Sequence, residues 1–174
     1  MSPRVLAVSR DTTHRFSKLP CDAITLVEGM GVAGDAHAGT LVQHRSRVRR
    51  DPNQPNLRQV HLIHTELLDE ARAAGHEVGP GSLGENILTQ DLEVLALPTD
   101  TRLKIGDAVV RVTGLRNPCK QIEDHSIGLL GIVLDGDVRK AGVMAVVEQG
   151  GEVRPGMPID VVLPAGPHKP LAPV

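Results

Sequence analysis

The chain has 174 residues, enough for one domain that buries a core without disulfide staples. Its 21 acidic and 19 basic side chains leave a formal charge of -2, so no overall field holds polyanions or an anionic membrane, and an anion must be caught locally. Phe16 is the one Phe, Tyr or Trp residue, which removes the stacking platforms of single-strand nucleic-acid binders; nucleic acid is excluded as a partner, and small-molecule substrates stay open.

The apolar stretch near the N-terminus is too short for a secretory core region, and no later run approaches the ~18 apolar residues that span a bilayer. The expectation is a soluble, cytoplasmic chain with no membrane partner. Two cysteines, Cys21 and Cys119, form neither a CxxC pair nor a dense framework, which suits a reducing compartment and leaves room for a working thiol.

Short Val-, Ile- and Leu-rich segments separated by Gly, Pro and Asp predict a β-rich domain with tight turns. Strands are expected over residues 4–8 and 23–28. Gly31, Gly34 and Gly39 then punctuate GVAGDAHAG, so the backbone is expected to bend and to present Asp35 and His37 at a loop tip. A plain turn with both side chains in solvent is the alternative reading. QHRSRVRRDPNQPN, residues 43–56, reads as a mobile surface loop whose Arg45, Arg47, Arg49 and Arg50 are solvated or attract a phosphate or a partner.

RQVHLI, residues 58–63, predicts a strand with Arg58 on the face of Val60 and Leu62, an odd place for a charge without a phosphate or carboxylate partner; a strand-end Arg reaching solvent is the alternative reading. His61 and His64 form only a fragment of a zinc motif and are read as satisfied or surface histidines. Thr65 caps a helix with Leu67, Leu68, Ala71 and Ala74 at helical spacing, ended by Gly75. Gly84, Glu85 and Asn86 open a strand, where Glu85 and Asn86 could read the edge of a heterocycle or form an ordinary turn. TRLKI and AVVRVT flank Gly106-Asp107 as the clearest hairpin. A second turn is expected at Gly150-Gly151 after a strand over 143–148, with a last strand over 159–163. One domain over 1–164 is followed by a loose Pro-rich tail, 165–174.

Cys119 stands in LRNPCKQIED. Asn117 as N-cap and Pro118 at the first helical position would put the thiol in the first turn of a helix, where exposed amides and the flanking Arg116 and Lys120 favour a thiolate. A thiolate attacks sulfur, carries a persulfide or ligates a soft metal; an inert buried cysteine is the alternative. Cys21 reads as structural.

Taken together, GVAGDAHAG, RQVHLI with Glu66 beyond it, GEN at 84–86, RLKIGDAVVRVTG and RNPC at 116–119 resemble the MOSC family in order and approximate spacing, over about Val5 to Leu163. One departure is Gly156, which is followed by Met157 and Pro158 where that family often has Gly-Asp. The resemblance implies a mainly β fold, a β-barrel with short peripheral helices like the pyruvate-kinase β-barrel domain. It implies a Cys119 that handles sulfur or ligates molybdenum, and a pocket for the phosphorylated pterin of the molybdenum cofactor. Gly34, Asp35, His37, Arg58, Glu85, Asn86 and Arg116 occupy family motif positions, and Lys120 joins them as a neighbour of the thiol. No pyridoxal phosphate is expected, since the chain has no room for the sulfurase domain that carries it.

Three functions follow as expectations. The first is a cofactor-binding domain that reduces N-hydroxylated compounds and draws electrons from a separate reductase. The second is a sulfur carrier loaded by a cysteine desulfurase, and the third a non-catalytic cofactor-binding module.

Overall fold

The computed structural model describes residues 1–174. The first half contains β1 (Arg4–Arg10), β2 (Leu19–Cys21), β3 (Ile24–Val27), β4 (Gly31–Val32), α1 (Arg45–Arg50), β5 (Val60–His64), α2 (Thr65–Ala73) and β6 (Ile87–Gln90). The second half contains β7 (Arg102–Ile105), β8 (Ala108–Leu115), α3 (Lys120–His125), α4 (Leu129–Val133), β9 (Leu134–Asp135), β10 (Val138–Arg139), β11 (Val143–Gln149), β12 (Gly151–Val153) and β13 (Asp160–Val162). The fold is mainly β, a curled half-barrel sheet with a few short helices, as expected from the sequence.

Eight strands form one sheet in the order β13-β7-β8-β11-β5-β6-β1-β2, and β12-β3-β4 form a second. Alternation decides which side chains enter the barrel. In β8, Ala108, Val110 and Val112 are buried while Val109, Arg111 and Thr113 are only partly so. They join Val60, Leu62, Leu103, Ile105, Val143 and Ala145 in a core of 20 residues. The other face of the central strands carries a second core of 11 residues, in which Ile63 and Leu88 pack against Leu67, Leu68 and Ala71 of α2, Ile122 of α3, and Leu129 and Val133 of α4. β5 and β6 are parallel neighbours joined through α2, and both faces of the pair are covered, the usual condition for parallel strands.

The predicted hairpin forms with Ile105 opposite Ala108, and Gly106 at φ 59° supplies the left-handed backbone the two-residue turn requires. The second expected turn differs. β12 pairs with β3, not with β11. Gly150 and Gly151 lie where backbones meet: a Cβ would stand 2.8 Å from the Leu26 carbonyl oxygen at the first and 2.7 Å from the Ala108 nitrogen at the second. They are glycines for close approach, with no positive φ.

Two segments expected to be loose are ordered. Residues 45–50 form a one-and-a-half-turn helix, although it buries no side chain. The segment expected to trail as a tail is laid along β8: the Leu115 amide donates to the Ala172 carbonyl (2.8 Å), the Val174 amide to Leu115 (3.1 Å) and the Thr99 amide to Lys169 (2.8 Å). Leu171 packs on the barrel core. No helix is long and apolar enough to cross a membrane.

Candidate functional site

A cavity of about 320 Å³ opens on the face of the sheet turned away from the barrel interior. His61 of β5 and Met144 of β11, register partners, form its floor. The walls come from the loop after β1 (His14, Arg15, Phe16 and Lys18), His37 and residues 42–47 into α1, Asn56 and Arg58 ahead of β5, Gly84 and Asn86 ahead of β6, and Arg116 to Cys119 with Gln121 after β8.

The lining is electrostatically one-sided. Arg15, Lys18, Arg45, Arg47, Arg58 and Arg116 contribute six basic side chains, and no carboxylate lines it, in a chain that carries 21 acidic residues. Arg116 is out of water and Arg58 partly so, neither with a carboxylate in salt-bridge contact. Arg116 is 7% exposed; one Nη donates to the Leu83 carbonyl, and the guanidinium lies over the Phe16 ring, 5.6 Å from its centroid. Arg58 is half-buried ahead of β5, not within the strand as predicted, and only its backbone takes part in a hydrogen bond, to Asn56. Burial, then Arg47 and Arg116, push its guanidinium down to about 10. His44, on the same wall, is pushed down to about 4 by burial and by Arg58. Such a group of cations raises the local positive potential, at an electrostatic cost.

Cys119 is half-buried in this wall. α3 begins at Lys120, so Cys119 is the N-cap and not a first-turn residue; Asn117 instead accepts a hydrogen bond from Arg139 Nε (3.0 Å). The Cys119 sulfur lies 3.6 Å from Gln121 Oε1. Its charge would act on both Arg58 and Arg116, so the three groups share one region of the cavity.

His37, Arg58, Asn86, Arg116 and Cys119 therefore meet at one cavity, while four other candidate residues stand outside its lining. Asp35 is buried, not at a loop tip. Its oxygens accept from Lys18 Nζ (2.8 and 2.7 Å), the Asp11 amide (3.1 Å) and the His37 amide (3.1 Å). Burial alone would raise this carboxyl, but His37, Lys18 and the Asp11 amide together hold it well below the usual carboxylate range. Glu85 is fully buried and turned inward, accepting from the Gly81 (2.6 Å) and Leu83 (3.2 Å) amides, which shapes the loop that presents Gly84. Gly34 is exposed against Arg10, and Lys120 has an 88% exposed side chain paired loosely with Asp124 at 3.8 Å.

Asn86 lines the cavity, yet its amide is already in use: Oδ1 accepts from the His61 amide (3.0 Å) and Nδ2 donates to the Ser9 carbonyl (3.2 Å) and Asp35 (3.4 Å). It ties the glycine-rich bend to the cavity floor. His61 is held neutral by burial beside Arg116, and its Nε2–H donates to the Ala141 carbonyl (2.7 Å). Sequence reasoning missed Lys18, His14, His44 and Asn56 as wall residues. Nothing in their local sequence marks them, because each is defined by a partner brought in from another segment.

A sequence model of the MOSC domain matches residues 49–160. Among solved structures, the YuaD protein from Bacillus subtilis superposes with a TM-score of 0.75 at 22% identity, over 92% of this chain and 96% of that one. YiiM from Escherichia coli superposes with a TM-score of 0.64 at 20% identity, over 95% and 73% of the two chains. YiiM from Geobacillus stearothermophilus does so with 0.65 at 18% identity, over 92% and 75%. These likenesses concern the fold. A search of curated proteins returns no match.

Proposed function

Because the chain belongs to the MOSC domain family, we propose that its cavity binds the molybdenum cofactor, with the Cys119 sulfur as ligand to the metal. We further propose that the loaded domain reduces N-hydroxylated compounds with electrons from a separate donor protein. The family is linked to molybdenum cofactor binding. What supports the reading in this chain is the buried Arg116 and the half-buried Arg58 facing a carboxylate-free cavity that also holds a sulfur.

The residues present suit that group. A buried guanidinium with no carboxylate in contact is unfavourable, and a phosphate offsets this through bidentate, charge-assisted hydrogen bonds. Arg58 and Arg116 would hold the phosphate, with Arg47 adding a third positive charge at the wall. Cys119 offers the soft donor that molybdenum accepts, and the backbone fixes it at the α3 N-cap. His61 stays neutral on the floor and adds no charge. The bound cofactor would supply two-electron redox chemistry that side chains lack. The protein's part is to position the group, exclude water and orient the substrate. Nothing in the sequence reads as a flavin or iron–sulfur site, so the electron donor is placed on a partner.

The test is to purify the protein from cells that make the cofactor and to measure bound molybdenum and pterin in wild type and Cys119→Ser. The expected outcome is both in the wild type, with molybdenum lost in the variant. Equal molybdenum in the two proteins, or neither component in the wild type, would overturn the reading. A persulfide on Cys119 without metal would replace it with the sulfur-carrier function.

A further inference from the structure

Lys18 lines the cavity, but it is not a free cation there. Its side chain is 4% exposed, and an ammonium has three N–H bonds. Three acceptors surround it: Asp35 Oδ1 at 2.8 Å, Asp35 Oδ2 at 2.7 Å and His37 Nδ1 at 3.3 Å. An ammonium has no lone pair, so His37 Nδ1 must be the acceptor in the third contact. The proton of a neutral His37 ring therefore sits on Nε2.

That Nε2–H has no protein partner. The polar contacts of His37 beyond its Nδ1 are made by its backbone, whose amide donates to Asp35 and whose carbonyl accepts from Asn56. The ring forms part of the cavity wall with a 29% exposed side chain, edge-on to His14 at 5.4 Å between centroids. Asp35 Oδ2 lies only 3.6 Å from Nδ1. Without Lys18, that carboxylate would take an Nδ1–H and stabilise an imidazolium; with Lys18 on both its oxygens, it does not need one.

We propose that Lys18 is a positioning residue that sets the tautomer and charge of His37, so that the cavity presents a neutral Nε2–H donor to an oxygen of the bound ligand instead of an imidazolium. The charged and titratable groups facing His37 are Lys18 and Asp35 on one side, His14 beside the ring and His44 across the wall. Burial lowers His37 and is reinforced by Lys18 and His14 against the pull of Asp35. The donor serves whatever ligand the cavity takes, so the inference goes beyond the cofactor reading and stands or falls separately from it.

Long-range ¹H–¹⁵N correlation spectra of the full chain labelled at histidine test this, with His37 assigned from the signals lost in His37→Gln. In the wild type, His37 is expected to show a protonated Nε2 and a bare Nδ1 at neutral pH. In Lys18→Met, it is expected to titrate about 1–3 pH units higher, as for a group left with an opposite charge at short range. A wild-type proton on Nδ1, or an unchanged titration in Lys18→Met, would overturn the proposal. Lys18→Met strands the buried Asp35 carboxylate, so Lys18→Met/Asp35→Asn serves as a second variant. It should leave His37 neutral with its tautomers mixed, and a pure Nε2–H form there would equally overturn the proposal.

Discussion

Arg58 and Arg116 illustrate how a charge reports function at the scale of one side chain. Arg116 is buried and Arg58 half-buried, the positive charge of Arg116 adds to the cost of charging Arg58, and neither has a carboxylate in contact. Replacing Arg58 by Ala is expected to weaken binding of inorganic phosphate about 10- to 100-fold, the loss of one charged hydrogen-bonding group worth ~1.5–3 kcal/mol. Lys120→Ala, beside the thiol in sequence but exposed and outside the cavity, should leave phosphate binding unchanged in the same calorimetric titration. Burial pushes Glu85 up to about 7, against the amides of Gly81 and Leu83 and against Arg116. The folded chain thus binds a proton there that the unfolded chain releases near 4.5, so stability falls as pH rises from about 4.5 to 7 and is then level. Asp35 acts oppositely: its lowered carboxyl contributes stability above the ordinary value of 3.8 and loses it as pH falls below that value. Denaturant melts of wild type and Glu85→Gln across pH should therefore differ in slope between 4.5 and 7, at ~1.4 kcal/mol per unit of titration shift, and not below 4.

Elements were legible where a local rule decides them. The β7–β8 hairpin needs only alternation and one left-handed glycine, and α2 needs only its apolar stripe. The start of α3 was misplaced because Asn117 is recruited by Arg139, twenty-two positions away, and no capping rule sees that far. The same holds for the C-terminal segment, whose Pro-rich composition hides backbone bonds to Leu115 and Thr99. Gly114 is the element-scale test of that docking. A Cβ there would run into the Ala172 carbonyl oxygen and stand 2.9 Å from the Val174 side chain. Gly114→Ala is expected to release residues 169–174, seen as faster hydrogen exchange at the Leu115 and Val174 amides, while the β5 and β8 core amides stay protected. Arg47 Nη2, which donates to the Val174 carbonyl at 2.9 Å, would lose its anchor in the same variant.

Over the whole molecule, charge is sorted in a way composition conceals. A chain with net charge -2 gathers six of its 19 basic residues around one cavity and keeps carboxylates out of the lining. The barrel and the family were readable because motif order survives along the chain. The wall was only partly readable, because Lys18 meets Asp35 and Asn86 meets Asp35 and His61 by closure of the sheet. Asp35 and Glu85 stand at motif positions, yet they work through hydrogen bonds inside the protein, shaping what His37 and Gly84 present. Ligation of a metal by the Cys119 sulfur inside this basic cavity is decided by anomalous diffraction at the molybdenum edge on crystals of protein purified from cofactor-producing cells. A single anomalous peak is expected against the Cys119 sulfur, with phosphate density between Arg58 and Arg116. A molybdenum peak away from Cys119, or phosphate density on the outer surface, would contradict it.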